Sequence, residues 1–349
     1  MPPSRRDFLR TICATAPAAI LAGASLDTDL AAAEDSAIIG HGTHRYRVNL
    51  NWGRLDSARY PIKDAHEMVE DSQGRIVLLT NHTKNNVLIY DKSGKLLESW
   101  GTDYPGAHGL TLSRENGEDF LWISDNARHE VIKTSLTGQV VMTLPYPKES
   151  GHYTNANEYV PTEVAVAPNG DIYVADGYGK QFVIQYDARG ELVRTFGGRG
   201  NEPGSLDNAH GIAIDTRNPA DPALLVTARQ QNALKRYSLD GRHLETIALP
   251  GAYICRPVVH GKHVYFAVLI SKLPWNSESG FVLILDEKNR VVSAPGGSVP
   301  RYVDGKLNRL HQTLKVFRHP HDVCVDRDEN VYVAQWNSGG LYPIQLVRV

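Results

Sequence analysis

The chain has 349 residues, 42% of them hydrophobic, with 37 Lys and Arg against 39 Asp and Glu, giving a formal net charge of −2. That length and apolar share suffice to bury a large core. The near-neutral balance leaves no basic footprint and so excludes nucleic acid as an expected partner. Past the N-terminal segment no apolar run approaches the roughly 20 residues that cross a bilayer, so no stable membrane span is predicted.

The first segment reads as a targeting signal. Ser4-Arg5-Arg6-Asp7-Phe8-Leu9-Arg10 matches the twin-arginine pattern, an Ala-rich apolar stretch runs from Thr11 to Leu26, and Ala31-Ala32-Ala33 offers small residues for cleavage before Glu34. Residues 1–33 are therefore expected to be a signal peptide and residues 34–349 one mature domain. The twin-arginine export machinery is the partner this implies, and the periplasm or the exterior the destination. Cys13 lies in the signal. Cys255 and Cys324 sit among strand-like residues and read as two buried thiols, with a single bridge as the alternative.

A repeat dominates the rest. HEMVEDSQGRIVLLT from His66, HGLTLSRENGEDFLWISD from His108, PTEVAVAPNGDIYVAD from Pro161, HGIAIDTRNPADPALLVTA from His210 and HDVCVDRDENVYVAQ from His321 each pair two apolar runs across a polar turn. A second hairpin follows in each unit, as in NVLIYDKSGKLLESWG and FVIQYDARGELVRTFGG. Four strands per unit of about 45 residues predict an all-β, six-bladed β-propeller. Its blades start near residues 66, 108, 161, 210, 257 and 321, with blade five opening on Arg256-Pro257. The last blade lacks a fourth strand, which the segment Tyr46–Gly53 is expected to supply, closing the ring.

Histidine opens the innermost strand at His66, His108, His210 and His321, a position on the channel rim. Blades two, four and six alternate around the ring, so His108, His210 and His321 are predicted to converge on the axis. Three imidazoles leave an open coordination position, the pattern of a catalytic metal. Neither cysteine is placed in this register. His66 breaks the alternation and fits a ligand-orienting partner, a substrate contact or a fourth ligand. Asp322 follows a proposed ligand and suits either its orientation or a second, harder cation such as calcium.

The loop after each second strand overhangs this rim. Asp176-Gly177-Tyr178 brings a phenol that ionises more readily beside a cation, and Ala228-Arg229-Gln230 brings a guanidinium fork for an anionic group. Tyr178 and Arg229 are the candidate catalytic residues. His66 and His82 are candidate substrate contacts.

These residues resemble the NHL-repeat propellers and, among them, the peptidyl-α-hydroxyglycine α-amidating lyases. The resemblance runs from about residue 60 to the C-terminus. It is carried by Pro161–Val166 with Ala175–Tyr178, by Ala209-His210-Gly211 and by His319-Pro320-His321-Asp322. It implies zinc on His108, His210 and His321, Tyr178 and Arg229 in the active site, and calcium at Asp322. Arg256 also falls on a family arginine, so that by this resemblance Arg256 and His319 become candidate substrate contacts as well. The sequence departs from that pattern at Thr83, where an arginine belongs, at His319 in place of a methionine, at Gly179 where a loop cysteine is absent, and at the added His66. The expectation is an exported metal-dependent lyase acting on a peptide or a hydroxylated, carbohydrate-like small substrate. The alternatives are a non-catalytic propeller that binds a peptide, glycan or protein, and a lactone hydrolase.

Overall fold

The computed structural model describes residues 34–349, so the predicted twin-arginine signal lies outside the described residues. Val, Ile, Leu and Tyr dominate short segments whose side chains are buried on both faces, a composition suited to pleated strands stacked between neighbours. Polar turns join them. In the outer hairpin of blade one, Asp91 Oδ1 accepts from Ser93 N and Lys95 N at 2.9 and 3.1 Å, and Gly94 takes a positive φ of 89°.

Blade one comprises Ala65–Glu70, Ile76–Thr80, Val87–Tyr90 and Leu96–Trp100, and blades two to five repeat the same antiparallel order. The innermost strands are Ala107–Glu115 in blade two, Glu163–Val166 in blade three, Ala209–Asp215 in blade four and Val258–His260 in blade five. The core lies between blades, where Tyr173 of blade three packs with Leu224 and Val226 of blade four.

Blade six is built from both ends of the described chain. Pro320–Val325, Val331–Gln335 and Ile344–Arg348 are followed in the sheet by His44–Asn49 and then Ile38–His41. Tyr46 pairs with Arg348 and Asn49 with Gln345. The closing strand thus starts two residues before the expected Tyr46 and stops at Asn49. Trp52 turns inward instead, 4.6 Å from the Tyr332 ring, and its indole N–H donates to the Lys92 carbonyl at 3.0 Å.

A backbone irregularity recurs where function was expected. The register of the innermost strand shifts between Ala65 and Glu67, between Ala107 and Gly109, between Ala209 and Ile212, and between Pro320 and Asp322. Each shift is a bulge holding a histidine, and a bulge re-aims the side chain it carries. The residue after the histidine is also drawn toward the axis, so each blade offers a rim position and one just below it.

Candidate metal centre

The rim positions around the ring are His66, His108, Thr162, His210, Cys255 and His321. Cys255 N donates to Ala267 O at 2.8 Å and Thr162 N to Ala175 O at 2.8 Å, the same ladder position in blades five and three. This corrects two expectations. Cys255, not Arg256, opens blade five, and a cysteine does occupy the register. Both thiols are free and buried.

Four imidazoles meet at the channel mouth. His108 and His321 stand 4.9 Å apart between ring centroids, and each lies against both His66 and His210 at 4.8 to 4.9 Å. All four are buried. Among the described residues, His66, His108 and His321 form a group whose ligand atoms all lie within 4.8 Å of one another. His66, the outlier of the alternating pattern, therefore belongs to the cluster.

Hydrogen bonds fix how these rings present their nitrogens. A carbonyl only accepts, so His108 Nδ1–H donates to Thr162 O at 2.9 Å and His321 Nδ1–H to His66 O at 3.0 Å. Both rings are left with an Nε2 lone pair, the arrangement of a metal-binding histidine held by a backbone acceptor. His66 Nδ1 and His210 Nδ1 are buried without partners. Burial pushes the His108, His210 and His321 pKa values well below the usual histidine range, and burial with the nearby Lys63 charge pushes His66 down to about 3. Neutral imidazoles with free lone pairs fit a divalent transition metal.

Tyr178 reaches this cluster from blade three, its hydroxyl 3.1 Å from His108 Nε2 and 3.1 Å from His210 Nε2. The Asp176 carboxylate anchors its loop, accepting from Val160 N at 2.7 Å, Tyr153 Oη at 2.8 Å and Lys180 N at 2.6 Å. Tyr178 is 42% exposed, but desolvation of its hydroxyl among the imidazoles raises the phenol's pKa, and the Arg229 charge opposes the rise. Arg229 is itself buried, donating from Nη2 to Cys255 Sγ at 3.1 Å and from Nε to Ile254 O at 3.3 Å. Tyr178, Arg229 and His321 share a cavity of about 260 Å³ with Trp275 and Trp336. On the other side of Tyr178 a wider cavity of about 940 Å³ is lined by His66, His108, His82, Asn81 and Lys63. The loops predicted to overhang the rim thus do so. His319 is buried against Trp336 with Nδ1 3.4 Å from Asn337 O, behind the loop that lines these cavities.

The positions just below the rim are Glu67, Gly109, Glu163, Gly211, Arg256 and Asp322. The two glycines serve close approach: a Cβ on Gly109 would collide with Thr162 O, and one on Gly211 would stand 2.5 Å from Arg256 Cα. The other four form a charged layer. Arg256 donates to Asp322 through Nη2 at 2.7 Å and Nε at 3.1 Å, and to Met68 O at 2.9 Å. Glu67 and Glu163 lie 3.5 and 3.7 Å from Arg256 Nε. Burial, with Glu163 adding to it, pushes Glu67 well above the usual carboxylate range, while Arg256 opposes this.

Two expectations are corrected here. Arg256, expected at the substrate, spends its guanidinium inside the channel. The calcium expected at Asp322 does not fit either, because Arg256 already stands among these carboxylates and Asp322 Oδ2 also accepts from Met68 N at 2.8 Å. Thr162, Glu67, Glu163 and Trp275 escaped the sequence reading. Thr162-Glu163 was legible at the histidine register, whereas Trp275 lies in a loop outside the repeat.

No family model matches the chain. Over 317 residues it is 27% identical to peptidyl-α-hydroxyglycine α-amidating lyase 1 of Drosophila melanogaster, covering 84% of this chain and 52% of that protein. A probable peptidyl-α-hydroxyglycine α-amidating lyase of Caenorhabditis elegans is 31% identical over 132 residues, 37% of each chain. NHL repeat-containing protein 3 of Homo sapiens is 24% identical over 180 residues, 49% of this chain and 51% of that one. The chain thus spans about half or less of these relatives' length. Among solved structures, a streptogramin B lyase superposes with a TM-score of 0.56 at 14% identity, covering 90% of this chain and 99% of that one. A gluconolactonase of Xanthomonas campestris gives 0.58 at 13%, covering 91% and 96%. Those two likenesses concern the fold. Together with the sheet order, the solved structures make the chain a six-bladed propeller, and its sequence resembles the NHL-repeat proteins and the peptidyl-α-hydroxyglycine α-amidating lyases.

Proposed function

We propose that this protein is an exported, metal-dependent lyase that cleaves a carbon–nitrogen or carbon–oxygen bond at a hydroxylated carbon and leaves a carbonyl product. The observation that carries this reading is the meeting of four neutral imidazoles with the Tyr178 hydroxyl at one end of the channel. His108, His210 and His321 are the proposed holders of a divalent metal, zinc being the expectation. When bound, such a cation supplies Lewis acidity that lowers the pKa of a substrate hydroxyl.

The chain's own groups do the rest. With His108 and His210 reserved for the metal, Tyr178 gives up its proton to solvent, a loss that the nearby Arg229 charge favours. Once relieved of it, the phenolate accepts the substrate hydroxyl proton and returns it to the leaving nitrogen or oxygen. Arg229, one wall away, holds a carboxylate or another anionic group through its planar fork. Trp275 and Trp336 exclude water from that side. His82 and His66 face the wider cavity, where a peptide or a polar, carbohydrate-like substrate is accommodated.

Support for a peptide substrate comes from the named relatives, and Thr83 in place of an arginine argues for a changed one. A second reading, a non-catalytic binding propeller, draws on the NHL repeat-containing relative, whose name carries no lyase activity. The test is elemental analysis of the purified mature protein, followed by incubation of metal-loaded protein with an α-hydroxyglycine peptide. Stoichiometric zinc with release of the amide and glyoxylate supports the lyase. Protein that takes up no transition metal sinks it and leaves the binding propeller.

A further inference from the structure

We infer that the turn at residues 41–44 is an acid-sensitive latch, which holds the outermost strand of blade six against blade five. None of the residues involved lines the cavities of the metal centre. Strand Ile38–His41 pairs with His44–Asn49, and His41 faces His44 across a two-residue turn. Blade five presents a turn of the same kind, with His260 facing His263 around Gly261 and Lys262. The two turns meet where the His44 and His263 rings stand edge to face, 4.5 Å between centroids. Three hydrogen bonds tie the hairpin to Val291–Ser293, the outer strand of blade five, and to the residue after it. His41 N donates to Ser293 Oγ at 2.9 Å, and that hydroxyl donates to His44 O at 3.0 Å. The Ala294 N–H donates to His41 Nδ1 at 3.1 Å.

The last of these bonds sets the chemistry. A backbone N–H can only donate, so His41 keeps its own proton on Nε2 and offers the Nδ1 lone pair. A second proton would occupy that lone pair, set N–H against N–H and place a charge at the seam. His44 is buried and His263 half-buried, so protonating both would bring two cations ring to ring. The surroundings do not relieve this. Desolvation holds His41 below the ordinary histidine range, and it holds His44 down together with His263 and Arg348, against Glu329. Around His263, desolvation and Arg217 outweigh Glu329, Asp286 and Glu287. Glu329 is itself committed, its Oε2 accepting from Arg348 Nε at 3.0 Å. Lifting the hairpin lets water reach the rings and returns them toward the ordinary pKa of about 6.5. The open form therefore binds protons more readily. The latch is firm above that value and loosens as pH falls from it toward the lowered ones.

The experiment is hydrogen exchange of the mature protein at about pH 7.5 and about pH 5.5, on either side of the ordinary histidine pKa. Mass spectrometry reads peptides covering residues 38–49 and 291–297, with each rate divided by the intrinsic rate at that pH. Opening of both segments should rise severalfold at the lower pH, with a ceiling of about tenfold per imidazole. Val87–Tyr90, in blade one, should keep its protection. His41→Asn retains an acceptor for Ala294 N without a titrating ring, so its rise should be less than half the native one. His41→Ala, lacking the acceptor, should exchange fast at both pH values, and His311→Ala, at an exposed ring, should match native protein. A native hairpin as protected at the lower pH as at the higher overturns the inference. So does a rise in His41→Asn of half the native one or more, and so does an equal loss of protection in Val87–Tyr90, which would be global acid unfolding.

Discussion

A guanidinium enclosed by three carboxylates makes Arg256 a structural cation rather than a surface hook. Its bidentate contact with Asp322 has the planar geometry that lysine cannot reproduce. Breaking a buried pair by removing one partner leaves the other charge uncompensated, which costs about 3–5 kcal/mol. Arg256→Met should therefore lower the urea unfolding free energy by about that amount, and Arg256→Lys by less. Equal stability of Arg256→Met and the native chain would show that Glu67 and Asp322 simply take up protons. The same residue shows where sequence reading stops. An arginine at the head of a blade and an arginine at a substrate look alike in one dimension, and what separates them is the set of carboxylates that other blades bring to the axis.

Among the elements, the innermost strands carry the site, and their bulges decide which residues face the channel. The histidine positions were legible because the repeat returns them to one register. The bulge beneath them was not, since it is a property of backbone pairing. Blade five shows the cost: lacking a histidine and carrying Pro257, it was read one residue out of step, so Cys255 was left off the rim. Tyr178 and Arg229 were placed correctly on rim loops because strand alternation alone determines which end of a blade a loop occupies. Gly109 tests the close packing of these strands. A methyl there collides with the Thr162 carbonyl, the same oxygen that accepts from His108 Nδ1. Gly109→Ala should lower metal affinity about tenfold or more while the fold persists, read by titration alongside circular dichroism. Unchanged affinity would mean that His108 does not depend on that carbonyl for its aim.

At the scale of the whole molecule, the ring is closed by hydrogen bonds between its two ends rather than by a covalent link. The six-bladed architecture was legible from the repeat, and so was the source of the closing strand, though not the additional strand Ile38–His41. Removing residues 34–50 would bare the edge of Ile344–Arg348, whose Leu346 is buried beneath the closing strand. Open edges recruit other chains. The expected outcome is self-association of the truncated protein, seen as a rise in mass by light scattering, where the intact mature chain stays at one size. A truncated protein that remains monomeric and melts at the native temperature would show that the ring closes without that strand.

The pairing of Tyr46 with Arg348 also sets an order of events in time. Blades one to five assemble from neighbouring segments, and each becomes available as soon as its own hairpins exist. Blade six must wait, because its inner strands come last in the chain and its outer strands first. Joining them closes the longest loop in the molecule, a step that contributes no local reward until it is complete. His321 sits on that last blade, so the imidazole cluster cannot assemble before the circle does. Capture of a metal would then report that folding has finished.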